Sequence, residues 1–400
     1  MKKIVFVSPG ELPTPALKGG AVETLITMLV EENEIRHKYD MEILTVSDDK
    51  LHFKNYKNTK IILINIPSLI KWIDRVIHFY WENIKKNWRA IFYRNYLIKK
   101  YYSKKISSYL RENCFDMVIV ENNMSLLENI FFTLGEEQFS QKCIYHMHSV
   151  LVDKPSMIKY MKRCCYIIAV SNYIIKAVKG NYPELSHTDF KMLLNAADIK
   201  IKKCPAGSDM DKYEVRNFYD IAKNDFVYLY SGRISAEKGV KELVRAFEML
   251  DVDNTKLVIA GGSYSGEKAV SQYEHELRLY CEKNKLNVAF LGFIPNTNMS
   301  KIYRMSDVLV IPSVVEEAAS VTGIEGMIME IPIIATRIGA LPEYLKDYAI
   351  YAEPGAHFVY NLCKKMEEIR MKFTKPSLQG ITLEYFSRIQ YFERFVDIVD

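Results

Sequence analysis

The chain has no long apolar run, no cysteine pattern typical of metal binding, no internal repeat and no low-complexity tract. None of its apolar runs approaches the roughly 20 residues that a helix needs to span a bilayer. The seven cysteines are an odd number without metal-ligand spacing, which favours reduced thiols over disulfides. The sequence therefore indicates neither a membrane-spanning helix nor a disulfide-stabilised domain, and we expect a cytoplasmic protein.

The length and composition indicate two domains. The chain has 400 residues, of which 49% are hydrophobic, enough for two cores of ordinary size. The apolar run Ile4 to Val7 follows two lysines but is too short for a signal peptide, so we expect a strand there. A polar stretch from Ile199 to Lys223 is the predicted hinge. The first domain is therefore expected at residues 1–200 and the second at 201–382.

The stretch from Tyr228 to Gly239 (YLYSGRISAEKG) predicts a buried strand, a tight turn and the start of a helix. Gly232 permits the turn because it has no side chain. Arg233 and Lys238 then lie on the loop before a helix predicted at Val240 to Met249. Two cations beside the free N–H groups of a helix N-terminus form an anion site, and a diphosphate is the expected ligand. Two solvated charges on a surface loop are the alternative.

A second stretch, Pro312 to Pro332, contains two glutamates eight positions apart, Glu317 and Glu325. We expect Glu317 in a loop and Glu325 at the opening of the following helix. This spacing lets one carboxylate lie at a phosphate or sugar and the other beside a ribose. A pair of surface glutamates is the alternative interpretation.

Taken together, Ser231-Gly232-Arg233, Lys238-Gly239 and the Glu-x7-Glu pair about eighty residues later resemble the retaining nucleotide-sugar glycosyltransferases of family 4. The resemblance implies an α/β protein with the GT-B fold. In that fold, two Rossmann-like domains with parallel sheets face each other across a cleft. It also implies that the last helix, within residues 383–400, crosses back to the first domain.

The resemblance implies roles for individual residues. Arg233 and Lys238 would balance charge on the leaving diphosphate, Glu317 would lie at the donor sugar and phosphate, and Glu325 at the ribose hydroxyls. The other donor-binding residues implied are Gly20, Gly232, Gly261, Phe293, Ile294, Ala319, Ser320 and Val321. The family commonly has Gly-Phe-Gly after the first glutamate, whereas this chain has Ala318-Ala319-Ser320. The identity of the donor sugar therefore does not carry over.

Two histidines follow or end a strand predicted at Lys142 to His146. Residues two apart on a strand point to the same face, so His146 and His148 are neighbours. The resemblance implies that His148, or His146 as second choice, lies near the donor sugar. A histidine pair can bind a metal, but the sequence shows no carboxylate partner or third ligand, and no metal site is expected. A hydrogen-bonded structural histidine is the alternative.

The expected chemistry needs no metal. Negative charge builds on the diphosphate as the sugar–phosphate bond breaks, and some enzymes balance it with a metal held by an Asp-x-Asp motif. No such motif stands out at a predicted strand end, so Arg233 and Lys238 with helix N-termini would do this work. We expect no cofactor, and a nucleotide-diphosphate sugar as the donor substrate.

Residues 69–112 interleave basic and aromatic side chains, with all three tryptophans and 11 Lys+Arg against three acids. Residues 1–200 carry a net charge of +8, which leaves −3 for the rest of the chain. One or two amphipathic helices on an anionic membrane surface would suit this composition, and would place the protein on the inner face of the cell membrane. Helices packed on their own domain with a solvated basic face are the alternative. Nucleic acid is not expected, because nothing else in the chain favours it.

The leading interpretation is a retaining glycosyltransferase that moves a sugar to a saccharide acceptor. A lipid-linked saccharide in capsule or exopolysaccharide assembly is one class of acceptor. The alternatives are another GT-B nucleotide-sugar enzyme, such as an epimerase or a starch-synthase-like enzyme, and a non-catalytic partner subunit. Loss of Arg233, Lys238 or a glutamate of the pair would have favoured the subunit, and all four are present.

Overall fold

The computed structural model describes residues 1–16, 20–48, 55–81, 95–150, 155–197, 212–262, 270–372 and 383–400. The chain divides into two compact units. The first contains Met1–Val170 and Ile175–Leu193, and the second contains Ser171–Ile174 and Leu194–Asp400. The C-terminal helix is therefore grouped with the second unit.

The first unit is built on a parallel sheet with the strand order β3-β2-β1-β4-β5-β6-β7. Its strands are β1 (Lys3–Val7), β2 (Asp40–Val46), β3 (Thr59–Ile64), β4 (Met117–Glu121), β5 (Cys143–Met147), β6 (Tyr166–Ala169) and β7 (Phe190–Met192). The helices along this part of the chain are α1 (Ala21–Arg36), α2 (Ser68–Phe79), α3 (Tyr96–Glu112), α4 (Ser125–Leu134), α5 (Glu136–Lys142), α6 (Pro155–Met161) and α7 (Asn172–Asn181).

The second unit is built on a parallel sheet with the strand order β10-β9-β8-β11-β12-β13. Its strands are β8 (Phe226–Ser231), β9 (Thr255–Ala260), β10 (Val288–Gly292), β11 (Val308–Ile311), β12 (Ile333–Thr336) and β13 (Ala349–Ala352). Its helices are α8 (Lys212–Phe218), α9 (Val240–Leu250), α10 (Gln272–Lys283), α11 (Asn296–Met305), α12 (Val321–Ile328), α13 (Leu341–Leu345), α14 (Phe358–Met371) and α15 (Arg388–Val399).

Both sheets follow the same winding rule. The central strands are short apolar runs buried on both faces, as in β1 and β8, and this is typical of parallel sheets covered by helices. In each sheet the strand order reverses direction beside the first strand, between β1 and β4 and between β8 and β11. Ligands of such sheets bind at the carboxyl ends of the strands at this reversal point. The topology therefore marks one edge of each unit as a candidate site.

The sequence predicts strands at residues 3–7, 41–46, 60–66, 116–120, 142–146, 165–170, 226–230, 256–260, 288–291, 308–311 and 333–335. These strands are confirmed, with ends that differ by no more than two residues. Two strands were not predicted, β7 and β13, which are three and four residues long. Both are outermost in their sheets. An edge strand of this length holds too few residues for a recognisable alternation of apolar and polar side chains.

The predicted hinge from Ile199 to Lys223 is wrong in its second half, where α8 forms. Residues 199–211 lie outside the described part of the chain. Helix α8 is not evident from the sequence, because one of the two buried side chains of this helix is the charged Arg216, beside Val215. A polar composition therefore does not distinguish this helix from a linker.

Arg216 is almost fully buried and ties α8 to the sheet. Its Nη2 lies 2.8 Å from Asp307 Oδ2, and its Nε donates to the carbonyl oxygen of Met305 at 2.9 Å. Its Nη1 donates to the carbonyl oxygen of Asp225 at 2.9 Å. Lys212 Nζ lies 2.6 Å from the other oxygen of Asp307. The buried guanidinium therefore has a hydrogen-bond acceptor on every nitrogen.

Replacing Arg216 with alanine is expected to lower the free energy of unfolding by about 3–5 kcal/mol, because Asp307 and several carbonyl groups lose their buried partner. The matched control is Arg337→Ala, which breaks an exposed pair in which Nε lies 2.7 Å from Glu353 Oε1. That change should cost no more than about 1 kcal/mol. Urea unfolding of both variants measures the difference, and equal small losses would refute the assignment.

Candidate functional sites

Two of the glycines predicted to bind the donor, Gly232 and Gly261, lie at the carboxyl ends of β8 and β9. The amide of Gly232 donates to the carbonyl oxygen of Ala260 at 3.0 Å, and that of Gly261 to the carbonyl oxygen of Gly292 at 2.8 Å. A Cβ atom on Gly261 would lie 1.8 Å from the carbonyl oxygen of Gly232. Only glycine permits this backbone contact, so the two turns lie side by side.

Lys238 and Glu317, 79 positions apart in sequence, form an ion pair at this edge. Lys238 Nζ lies 2.5 Å from Glu317 Oε1, and Ser313 Oγ donates to the same oxygen at 2.5 Å. The backbone of Glu317 is held as well, because its carbonyl oxygen accepts from the amide of Ala340 at 2.8 Å. A Cβ atom on Gly339 would lie 2.5 Å from the Glu317 nitrogen. The loops after β8, β11 and β12 therefore converge on Glu317.

The structure explains why a glycine follows Lys238. Gly239 has a φ of 67°, and a Cβ atom there would lie 1.8 Å from the carbonyl oxygen of Pro312. The loops after β8 and β11 are also joined by a bond from the Val314 amide to the Glu237 carbonyl oxygen, 3.1 Å long. A side chain at Gly239 would push these loops apart and move Lys238 away from its partner.

Arg233 is not part of this ion pair. Its Nη2 lies 3.1 Å from Glu237 Oε1, and both side chains are about half exposed. Among the described residues, no hydrogen bond or ion pair joins Arg233 to Lys238 or Glu317. The guanidinium lies in the turn after β8, where an exposed partner holds it loosely.

Glu325 lies within α12, so the prediction that it opens this helix is wrong. The helix begins at Val321, and its N-cap is Ser320, whose Oγ accepts from the Gly323 amide at 3.0 Å. Glu325 Oε2 accepts from the Tyr303 hydroxyl at 2.7 Å. Burial raises the pKa of Glu325 to about 7, although the hydrogen bond from Tyr303 opposes this shift. The carboxyl group therefore titrates near neutral pH.

The remaining predicted donor-binding residues of this unit differ in exposure. Ile294, Ala319 and Val321 are half-buried and pack against the apolar core of the second unit. Phe293, which follows β10, is exposed over 45% of its surface. An exposed aromatic ring at the end of a strand is available to stack on a planar ligand.

In the first unit, a carboxylate joins the two predicted histidines. Glu121 ends β4, and His146 lies beside it on β5. Glu121 Oε2 lies 3.1 Å from His146 Nδ1 and 2.9 Å from His148 Nε2. The expectation that the histidine pair has no carboxylate partner is therefore wrong. Ligand atoms of the three side chains lie within 4.8 Å of one another, a group that could hold a metal ion.

The side chains of this cluster affect one another's pKa values. Burial acts against the charge on Glu121, but the neighbouring histidines outweigh it and lower the pKa of Glu121 to about 2. Burial, together with His146, lowers the pKa of His148 to about 4, against the attraction of Glu121. At neutral pH the cluster therefore contains an ionised carboxylate beside a neutral His148.

Gly20 and Glu23 form the neighbouring turn at the start of α1. Gly20 is the N-cap residue with a φ of 96°, and a Cβ atom there would lie 2.1 Å from Glu23 Oε2. Burial raises the pKa of Glu23 to about 7, with smaller contributions from Glu11 and Glu121. Gly19, the residue before Gly20, lies outside the described residues. Sequence reasoning found Gly20 but missed Glu23 and Glu121, because a single carboxylate has no motif.

Helix α2 exposes its apolar face. The residues of this face, called the α2 stripe, are spaced at one helical turn and are between 40% and 66% exposed: Leu69, Trp72, Val76, Phe79 and Tyr80. Asp74, by contrast, is buried and accepts from the Leu97 amide at 2.6 Å. The side of α2 that faces the protein carries the buried Asp74 together with the half-buried Ile70, Ile73 and Ile77, so α2 is apolar on its exposed side as well.

The basic residues of the same region are exposed on α3, which packs against α2. They are Lys99, Lys100, Lys104 and Lys105. Residues 82–94, which include Lys85 and Lys86, lie outside the described part of the chain. Among the helices that the structure describes, none is long and apolar enough to cross a bilayer.

Comparison with known proteins shows which family the second unit resembles. Residues 211–368 match the family described as Glycosyl transferases group 1. The chain is 25% identical over 359 residues to the putative glycosyltransferase YtcC of Bacillus subtilis, covering 86% of this chain and 77% of that protein. It is 27% identical over 242 residues to the lipopolysaccharide 1,2-N-acetylglucosaminetransferase of Salmonella typhimurium, covering 58% and 57%.

Solved structures support the fold over the whole chain. Anabaena Alr3699/HepE, in complex with UDP and glucose, matches with a TM-score of 0.71 at 16% identity and covers 100% of this chain and 99% of that one. Two units with parallel sheets and neighbours of this kind define the GT-B fold. The second unit is therefore similar to glycosyltransferase group 1 over residues 211–368, and the chain is similar over most of its length to a putative glycosyltransferase.

Proposed function

We infer that this protein is a retaining glycosyltransferase that moves a hexosyl group from a nucleotide-diphosphate sugar to a saccharide acceptor in cell-surface polysaccharide synthesis. The observation that carries the proposal is the Lys238–Glu317 ion pair at the reversal point of the second sheet. A solved neighbour contains UDP and glucose, and a relative is named as a lipopolysaccharide glycosyltransferase. Both support a nucleotide sugar as donor and a surface glycan as acceptor.

The proposed chemistry follows from where charge develops. Breaking the bond between the anomeric carbon and the phosphate leaves negative charge on the diphosphate. Lys238 is held by Glu317, whose carboxylate also accepts from Ser313, and is thus fixed in place before the donor arrives; Arg233 lies exposed in the turn nearby. Fixed cations stabilise such a transition state without having to reorganise. These two residues give a reason to propose transfer without a metal.

Lys238→Ala and Arg233→Ala are each expected to lower kcat by ~10²-fold or more, because each removes a cation from the charge that grows in the transition state. Turnover of the best nucleotide sugar from a thermal-shift screen, starting with UDP-glucose, measures this loss. The assay is run in EDTA, where the wild type should keep its activity.

The control for this prediction is Lys241→Ala, which removes an exposed lysine about one helical turn further along the chain. It should leave the rate unchanged. Near-normal rates in both Lys238→Ala and Arg233→Ala would place the diphosphate elsewhere. A complete loss of wild-type turnover in EDTA, restored by Mn²⁺ or Mg²⁺, would refute transfer without a metal.

Donor affinity is expected to rise by up to about tenfold per pH unit from pH 6 towards pH 7, and to level off above it. Ribose hydroxyls that donate to Glu325 would favour its ionised form, so binding would release the proton that this buried carboxyl group holds below its pKa of about 7. Isothermal titration calorimetry between pH 6 and 8.5 measures the effect. The phosphates of the donor stay fully ionised over this range.

Glu325→Gln should flatten this pH dependence, because the amide does not titrate. Glu23→Gln is the control, since Glu23 has a similarly raised pKa but lies in the first unit. An unchanged pH dependence in Glu325→Gln, together with a flat profile in Glu23→Gln, would assign the titrating group to Glu23.

We further propose that the α2 stripe and the lysines of α3 bind an anionic membrane, so that a lipid-linked acceptor can be reached. Aromatic and aliphatic side chains exposed on one helix suit the boundary between headgroups and acyl chains. The exposed lysines of α3 supply the matching charge, and each contributes about 1 kcal/mol near an anionic surface. The net charge of +8 on residues 1–200 favours the same orientation.

Liposome co-sedimentation tests this surface. Binding should require anionic lipid and fall as salt is added, because salt screens the lysines. Reversing Lys99, Lys100, Lys104 and Lys105 to glutamate should abolish binding at low salt, and Trp72→Ser should weaken it in the presence of salt. Donor hydrolysis without acceptor should change little in either variant.

The matched control for the lysine reversal carries the same change of charge on the second unit. It replaces the exposed residues Lys241, Lys283, Lys285 and Lys372 with glutamate. This variant should keep most of its binding. If the wild-type protein does not bind anionic liposomes at low salt, this result would contradict the membrane proposal and favour a soluble acceptor.

A further inference from the structure

The cluster of Glu121, His146 and His148 has a hydrogen-bonding pattern that the sequence did not reveal. One carboxylate faces two imidazoles, at 3.1 Å from His146 Nδ1 and 2.9 Å from His148 Nε2. The side chains of the three residues are all at most 6% exposed. The two rings are adjacent, with centroids 4.1 Å apart. The carboxylate is the shared acceptor of this cluster.

This geometry fixes which nitrogen of the His148 ring carries the proton. An ionised carboxylate only accepts hydrogen bonds, and a neutral imidazole has a single N–H. The N–H of His148 is therefore on Nε2, because this atom faces Glu121, and its Nδ1 is a lone pair. His146 Nε2, the ring nitrogen that does not face the carboxylate, is a buried atom that has no hydrogen-bond partner in the described structure.

The remaining nitrogen of His148, Nδ1, makes no hydrogen bond to the part of the chain that the structure describes. The backbone beside it is also held, because the His148 amide donates to Asn122 Oδ1 at 3.0 Å. His148 is therefore anchored at Nε2 and at its own amide. The remaining ring nitrogen, Nδ1, is a hydrogen-bond acceptor.

We propose that Glu121 is a positioning residue that locks His148 in the Nε2–H tautomer and so presents Nδ1 as an acceptor for a hydroxyl of the bound sugar. This proposal rests on the proposed glycosyltransferase function, in which His148 lies near the donor sugar. A carboxylate that orients an imidazole in this way acts through the histidine and not on the substrate. His146 completes the arrangement by packing against the His148 ring and using the other bond to Glu121.

The first experiment reads the tautomer directly. The protein is labelled with ¹⁵N-histidine, and His148 is assigned by comparison with His148→Asn. The wild type should show a protonated Nε2 and an unprotonated Nδ1 at His148 at pH 7.5. Glu121→Gln should remove this single state, because the amide replaces one carboxylate oxygen with an NH₂ donor, which cannot accept from an imidazole N–H. Glu121→Asp, which keeps a carboxylate, should restore it in part.

The second experiment reads the consequence for catalysis. Glu121→Gln should lower kcat/KM by about 10–100-fold, the range seen when an orienting partner of a functional histidine is lost. In a His148→Ala background the same change should cost less than about twofold, because Glu121 then has no catalytic role left. Glu136→Gln, at an exposed carboxylate of the same unit, is the matched control and should have no effect.

The two experiments separate failure of this proposal from failure of the proposed function. If no nucleotide sugar is turned over by the wild type, the proposed function fails, while the tautomer measurement still decides the role of Glu121. A proton on Nδ1 of His148, or a full loss in the His148→Ala background, would overturn the proposal.

Metal binding is the remaining alternative for these ligands. Two histidines and a glutamate are a common zinc ligand set. One zinc per chain after equilibrium dialysis, absent in both Glu121→Gln and His146→Asn, would mean that the carboxylate holds a metal, and this would also overturn the tautomer proposal. Zinc content at background level supports the hydrogen-bonded arrangement.

Discussion

The candidate donor site depends on the way Glu317 is held. Its carboxylate accepts from Lys238 and Ser313, and its backbone is held against Gly339 and Ala340. These contacts join the turns after three strands that come from separate parts of the sequence. Because strands of a parallel sheet all end at one edge, a single residue there can connect several turns. The same contacts that fix the loops therefore fix the cation that the proposed chemistry needs.

The two units share one sheet topology but differ in the side chains at the site that this topology creates. Each places its polar cluster at the strand ends where the strand order reverses. In the second unit the cluster is a lysine paired with a glutamate, which suits a site for a negatively charged leaving group. In the first unit it is the carboxylate Glu121 with two histidines, which suits hydroxyl groups better than phosphate because the carboxylate repels anions. The two edges therefore differ in the charge that they present to a ligand.

Glycine is required where these turns approach one another, and the clearest case is Gly239. Its backbone conformation is left-handed, and Pro312 occupies the space of a side chain. The Lys-Gly pair that is prominent in the sequence is therefore a packing requirement as much as a chemical one. The lysine supplies charge, and the glycine lets its loop lie against the loop that leads to Glu317.

The sequence by itself determined the strands of both sheets except β7 and β13, because short apolar runs buried on both faces are visible without knowledge of their neighbours. It also located Lys238 and Glu317, since their spacing within a βα pattern is a strong signal. The sequence did not predict α8, because one of the buried side chains of this helix is the charged Arg216. It did not predict β13, because this strand is too short to show a pattern.

Only the tertiary structure decided which side chains are partners. It brought Glu121 to the two histidines, gave Arg233 an exposed partner in Glu237, and placed the start of α12 four residues before Glu325. It also left the α2 stripe exposed, whereas the spacing of apolar residues along a helix does not tell an inward from an outward side. The physical reason is common to these cases. Local sequence sets which element forms, but hydrogen bonds, ion pairs and burial between distant segments depend on how the elements pack.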